Sequence, residues 1–399
     1  MPETAGLRSR VAREAARLRP GIERIARRLH RHPELSEEER RSVALLVAFL
    51  RREGFTVRRG IAGMPTAFVA RKRRGRGARI AFLAEYDALP GLGHGCGHNL
   101  IGAAAAGAGA VLARALGPIG GEVLVIGTPA EETIGGKVVM AERGVFRHLD
   151  AALMIHPSTE NRVYTTSLAC HSLEVTYLGR EAHAVASPER GVNALDAMIR
   201  LFLKVQRLKH RLPRAVRMPG VILEGGRRAN IVPARAVGRF TLRAPDRSAL
   251  RRVESAFRAA AREAARETGA RAAIRPLDHP YAEMRTNRAM AGLFREELRR
   301  LGRRTVDTPR TRMGSLDMGN VSQQVPSLHP YVAIAPRSVS LHSRGFARAA
   351  GGAAGRAGLR VAVRALALTG LRLLAGRHHL ERARREFERH ARRARRRGR

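Results

Sequence analysis

The chain has no tryptophan, two cysteines and only 4% aromatic residues in a length of 399. Each shortage closes a class of function. Two cysteines, Cys96 and Cys170, cannot lace a disulfide framework through a chain this long, so the expected compartment is reducing and cytoplasmic. Few aromatics argue against a surface on which nucleotide bases stack in series. No apolar run reaches the ~18–20 residues that span a bilayer, and the N-terminal segment has no apolar stretch of the signal-peptide kind, so no membrane partner is expected. Acidic residues are scarce as well: 34 Asp+Glu face 75 Lys+Arg, a formal net charge of +41.

Such a field attracts polyanions without selectivity. The excess is dispersed, however, with arginine alternating with alanine and glycine as in "RAAAREAARETGARAAIR", a pattern of coding bias and solvated basic faces rather than of a dedicated nucleic-acid-binding protein. The exception is the stretch "RHHLERARREFERHARRARRRGR". It reads as a basic C-terminal tail over 376–399, either a disordered extension or a non-specific anion binder.

What is present is an alternation of helical and strand-like segments. A helix is expected near 20–55, with Ser36 and Glu39 forming a capping box and Gly54 closing it. Apolar runs in "TAFVAR", "ARIAFLAEYDAL" and "GEVLVIGTPAEE" read as strands of a largely parallel buried sheet, and the small-residue helix "LIGAAAAGAGAVLARAL" suits close packing on it. From about residue 171 the texture changes to alternating strands with two long amphipathic helices. The predicted architecture is an α/β domain with a mixed, largely parallel sheet, built from 1–170 and 281–375, into which an α+β unit of 171–280 is inserted as a lid.

In "GLGHGCGHN" two histidines and a cysteine stand among glycines just after a strand that ends at Glu85 and Asp87. Ligands gather beyond the carboxyl ends of such strands. The spacing and lysine of a phosphate loop are missing, Cys96-x-His98 alone cannot make a four-ligand structural zinc knuckle, and no CxxC pair is present. A metal site with distant partners remains. The next strand ends in adjacent Glu131 and Glu132, whose side chains point in different directions and so suit different tasks, one on a metal and one moving a proton. His156 ends "AALMIHP", and His342 in "LHSRGF" is expected at the end of a late strand.

The blocks "HRHPELSEEE", "AEYDALPGLGHGCGHNLIG", "TPAEETIGGKVVMAERGVF", "DAALMIHP", "GREAHAVASPERGVNALDAM", "ANIVPARAVGRFTLRAPD", "DMGNVSQQVPSLHPY" and "LHSRGFARAAG" follow one another in the order of a known family. The chain resembles the aminoacylase/carboxypeptidase-like metallopeptidases over roughly 20–370. Within them it is similar to the amidohydrolase branch of p-aminobenzoyl-glutamate hydrolase and β-alanyl-lysine dipeptidase. The resemblance implies a cytoplasmic homodimer formed through the inserted domain. It also implies two divalent metal ions, zinc or manganese with cobalt or nickel as alternatives, and a small amide or dipeptide substrate. It assigns Cys96, His98, Glu132, His156 and His342 as ligands, with Cys96 bridging, Glu131 as general base and Asp87 as the carboxylate behind a ligand. His183 would stabilise the oxyanion in the partner subunit's site, and Asn230 and Arg243 would hold the substrate carboxylate. Leu316 departs from the threonine usual in close relatives. His94 and Cys170 match no ligand position. Two alternatives from other classes are a basic nucleic-acid-binding protein and a non-catalytic scaffold.

Overall fold

The computed structural model describes residues 2–117, 119–306 and 314–397. Contacts divide the chain into two compact units, one built on Ser167–Glu283 together with 314–316 and the other on the rest of the sequence that flanks it on both sides.

The flanking unit begins with α1 (Pro2–Arg31) and α2 (Arg40–Arg52). These are two helices rather than the one expected, because the chain turns at "HPELSEEE" between them. The expected capping box does not form: Glu39 occupies the N-cap without a side-chain cap bond. Glu34 does the capping instead, accepting from the amides of Arg41 and Ser42. The chain then runs through β1 (Thr56–Arg59), β2 (Phe68–Arg74), β3 (Arg79–Ala84), α3 (His98–Ala115), β4 (Gly121–Gly127), α4 (Gly136–Glu142), β5 (Ala151–Leu153) and β6 (His156–Ser158).

The inserted unit holds β7 (Ala169–Leu178), α5 (Ala194–Arg211), β8 (Gly220–Glu224), β9 (Arg235–Ala244), α6 (Arg247–Thr268) and β10 (Arg271–Pro276). The first unit resumes with α7 (Arg288–Arg300), α8 (Met318–Ser322), β11 (Ser327–Leu328), β12 (Tyr331–Ala333), α9 (Arg344–Gly351), α10 (Ala353–Ala375) and α11 (Arg377–Arg397).

The first unit's main sheet has the order β1-β2-β4-β3-β5-β11. Its two antiparallel pairings lie at the β1 side, while β4, β3, β5 and β11 run parallel, as the mixed, largely parallel expectation required. Helix α3 packs against β3 and β4, with α1 and α10 also against it. All its residues but Arg114 are buried, and an added Cβ at Gly109 would lie 2.3 Å from Val125 Cγ2, so only small residues admit this approach.

In the inserted unit an antiparallel sheet of order β10-β7-β9-β8 packs with α5 and α6 around Tyr177, Phe240, Phe257, Met198 and Leu201. The arginine-rich segment is a helix rather than a disordered extension. On α11, Leu380 and Ala383 are buried and Glu386 accepts from the amides of Arg288 and Ala289 at the start of α7; residues 398–399 lie outside the described residues. Among the described residues no helix is long and apolar enough to cross a membrane.

Candidate metal centre

Because β3 and β4 run parallel with Ala84 opposite Gly127, the residues that follow both strands emerge at one sheet edge. Glu85 and Asp87 follow β3; Ala130, Glu131 and Glu132 follow β4. The glycine loop then turns the chain into α3. Gly97, at φ +84°, is the residue before that helix, and a Cβ there would lie 2.9 Å from the Pro157 ring. A glycine is therefore required between Cys96 and His98 on both conformational and steric grounds. The amide of His342 donates to Gly95 O at 3.1 Å, stitching the turn before α9 to the same loop. His342 thus belongs to that turn, beyond β12, rather than to a strand end.

These local structures bring all five expected ligands together. Donor atoms of Cys96, His98 and His156, of Cys96, Glu132 and His342, and of His98, Glu131 and Glu132 form three groups, each lying within 4.8 Å. Cys96 Sγ is 3.3 Å from His156 Nε2 and 3.3 Å from His342 Nε2. Glu132 Oε1 is 3.8 Å from His98 Nε2 and 3.7 Å from His342 Nε2. Behind this set, Asp87 Oδ1 pairs with His98 Nδ1 at 2.9 Å, and Asp87 Oδ2 accepts from the amide of Glu132 at 3.0 Å. Nδ1 of His156 bonds to Pro157 O at 2.7 Å, which directs its Nε2 into the cluster.

The arrangement suits a cation on its own evidence. Glu85 Oε2, His98 Nε2 and Glu132 Oε1 are buried without a hydrogen-bond partner. Both carboxylate oxygens face His98 Nε2, at 3.4 and 3.8 Å, and the three atoms share one space that a cation would satisfy. Thiolate, imidazole and carboxylate together are the donors preferred by zinc and its neighbours.

Electrostatics reinforce the design. Burial alone would raise the Asp87 carboxyl, yet His98 and three hydrogen bonds bring it to about 2, so it stays a carboxylate. Burial, then the neighbouring His329, lowers His156 to about 3 and keeps it in the neutral, ligating form. Burial, with the charges of Asp317 and Glu85 behind it, raises Glu131 well above the usual carboxylate value. Burial also raises the Cys96 thiol.

Several participants were not legible in the sequence. Lys137, fully buried, pairs with Glu85 Oε1 at 2.6 Å and with Asp317 Oδ1 at 2.8 Å. Its charged form is held despite burial by those two carboxylates. Burial raises Asp317 to about 6 even beside that lysine. His329 is also buried and packs on His156 with ring centroids 5.7 Å apart. The only sequence signal was Lys137 standing alone in an apolar stretch directly after a glycine pair. His94 is tied to Leu29 O and to the amide of Asn99, a structural arrangement.

The remaining candidates belong to the inserted unit. His183 is exposed, and its Nδ1 accepts from the amides of Val185 and Ala186, so the ring proton is on Nε2, where it can be donated outwards. Asn230 is its neighbour, the amide of Ala184 donating to Asn230 O. Arg243 is elsewhere: it opposes Cys170 on β7, and its guanidinium donates to Ser315 Oγ at 3.1 Å. Between Cys170 and Leu178 the strand rises about 27 Å. Asn230 and Arg243 therefore occupy opposite ends of the sheet and do not converge on one carboxylate within a single chain. Cys170 is a free, buried thiol in the first strand of this unit.

A Cys/His/Glu donor set at the carboxyl edge of a largely parallel sheet, buried or half-buried except at the exposed His342 and with Glu131 of raised proton affinity beside it, is an arrangement suited to a metallohydrolase. The profile of peptidase family M20/M25/M40 matches residues 81–344, and the chain belongs to that family. It is 36% identical over 399 residues to the Xaa-Arg dipeptidase of Mus musculus, a match that spans 94% of this chain and 91% of that protein. It is 34% identical over 390 residues to the Xaa-Arg dipeptidase of Homo sapiens, spanning 91% of this chain and 88% of the relative. Its fold is shared with a dinuclear metal binding peptidase of the M20 family from Bacillus subtilis, at TM-score 0.70 and 21% identity over 90% of this chain and 99% of that one. The protein is accordingly a hydrolase of amide or peptide bonds. Nothing supports the non-catalytic alternatives.

Proposed function

We propose that this chain hydrolyses the amide bond of a small, carboxylate-bearing substrate such as a dipeptide, an N-acyl amino acid or an aminobenzoyl-glutamate, using two divalent ions. The observation that carries the reading is the convergence of five donor residues on one space, two of whose donor atoms, His98 Nε2 and Glu132 Oε1, are buried without a hydrogen bond. Cys96, His98, Glu132, His156 and His342 would hold the ions. Cys96 belongs to two of the three donor groups, with His98 and His156 in one and Glu132 and His342 in the other, and so suits a bridging ligand. Zinc or manganese fits the donors best, with cobalt or nickel as substitutes. When bound, the ions supply Lewis acidity towards the scissile carbonyl and the attacking water.

The chain's own residues do the rest. Glu131 takes a proton from the attacking water and returns it to the departing amine, a task suited by its raised proton affinity. Asp87 fixes the ring of His98. His183, with its outward Nε2–H, donates to the developing oxyanion, while Asn230 and Arg243 bind substrate. Because His183 with Asn230 and Arg243 lie at opposite ends of one sheet, both ends serve substrates only if two copies share the work. The surface for that association is β8, an edge strand whose Val221, Ile222 and Leu223 are exposed, with Ile199 and Leu203 of α5 also exposed. Two unpaired buried cysteines support a reducing, cytoplasmic setting.

Metal analysis of the purified protein, followed by a screen of dipeptides and N-acyl amino acids, tests the reading. We expect about two equivalents of metal per chain and hydrolysis that a chelator abolishes. Hydrolysis that survives complete metal removal would overturn it.

A further inference from the structure

The turn between α1 and α2 has no part in the chemistry above, although its sequence suggests a helix cap. Its side chains are used elsewhere. Ser36 Oγ donates to Asp87 Oδ2 at 2.9 Å, the same carboxylate that holds His98 and the Glu132 amide. Glu39, fully buried, accepts from the amide of Ala130 at 2.9 Å through Oε1. Ala130 has φ 58°, a left-handed conformation that an alanine keeps only where its surroundings hold it. The backbone repeats the attachment, since the amide of Ala88 donates to Glu34 O at 2.9 Å and Leu35 bridges Ala88. Glu34 in turn is fixed by the first amides of α2. One short turn therefore grips two of the segments that carry donors, the loop after β3 and the loop after β4.

We propose that Ser36 and Glu39 are positioning residues of the metal centre: Ser36 fixes Asp87, Glu39 fixes the left-handed Ala130 peptide, and together they aim His98, Glu131 and Glu132 at one space. A general need to satisfy buried polar groups does not account for this pattern. Glu34 already holds the first amides of α2, so neither side chain is spent on the cap; Ser36 meets the carboxylate behind His98, and Glu39 meets the peptide just before Glu131. The proposal rests on the metal-centre reading and adds to it the elements that orient its ligands.

Outer partners of metal ligands typically change metal affinity 10–100-fold when removed. Ser36 and Glu39 act one step further out, so the low end of that range, roughly 10-fold, is expected. The test titrates Co2+ into the metal-stripped full chain against a chromophoric chelator while recording the thiolate-to-cobalt absorption of Cys96. Ser36→Ala and Glu39→Ala should weaken cobalt binding about 10-fold and alter that absorption. Ser36→Thr and Glu39→Gln, which keep the donor and the acceptor, should restore both. If Glu39→Ala fails to fold by circular dichroism, the Ser36 pair and Glu39→Gln carry the test. Folded alanine variants with unchanged affinity and spectrum would overturn the proposal, as would conservative variants as weak as the alanines. If the unsubstituted protein takes up no cobalt, the metal-centre reading itself falls and takes the brace with it.

Discussion

The two units of this chain treat burial in opposite ways. In the first, Lys137, Glu85, Asp87, His98 and Asp317 are shut away from water, although charged groups are the costliest to bury. In the second, Val221, Ile222, Leu223, Ile199 and Leu203 are left open to it, although they would gain most from burial. Each inversion departs from what folding alone favours: the hidden charge surrounds the donor set, and the exposed aliphatic surface is the one proposed above for association. Substitutions on the two sides should accordingly fail in different measurements.

The largest effect belongs to the hidden side. Glu131→Gln should lower turnover by roughly 10²–10⁴-fold while metal content stays at the unsubstituted level; retained turnover removes Glu131 as the proton carrier. Next comes Lys137→Met, which strands Glu85 and Asp317 without their counter-charge. Urea unfolding should show a loss of about 3–5 kcal/mol, and a midpoint that does not move would mean the two carboxylates find other partners.

On the exposed side, Ile222→Asp should convert the proposed dimer to monomer in sedimentation analysis while changing monomer stability by no more than about 0.5 kcal/mol. A wild-type chain already monomeric at working concentration would count against the shared site. The smallest effect is expected at Glu254, which bonds to His171 at 2.9 Å and to Arg258. Burial raises its carboxyl, but these partners prevail and hold it below 4.5. The folded state thus binds the proton less tightly than the unfolded chain. The stabilisation is complete above about pH 4.5 and is lost as pH falls through the lowered folded value. Glu254→Gln should flatten that acid limb of the unfolding curve by up to about 1 kcal/mol; an unchanged limb would assign the slope to other carboxylates.

The legible parts of this protein were those written in local pattern. Apolar runs that stop at Glu85, Glu131 and His156 betray strand ends, and parallel strands bring those ends to one edge, so the fold class and the meeting of donors followed from periodicity and family resemblance together. Ser36 and Glu39 were misread for the same reason. Their spacing is that of a capping box, and nothing local tells a serine hydroxyl that Asp87, far along the chain, is the nearer acceptor. Lys137 was invisible because buried lysines are rare and its partners Glu85 and Asp317 are remote in sequence. Within one chain the register sets Arg243 at the Cys170 end of β7 and the segment of Asn230 beyond the Leu178 end, so the common carboxylate that the resemblance gives them needs two copies, which no local pattern spells out.

The arginine-rich α11 has a consequence for anyone who wishes to ask what its charge does. Removing this charged segment is the usual first cut, but here it would take away the buried Leu380 and Ala383 and strip the Glu386 carboxylate from the amides that open α7. A deletion would report damage to a folded neighbour rather than loss of charge. The informative change is surgical: Arg382, Arg385, Arg389 and Arg392 recur at three- and four-residue intervals on the solvent side of the helix. Replacing them with glutamine leaves the seam intact. Whatever salt-sensitive attraction to polyanions then disappears belonged to that row.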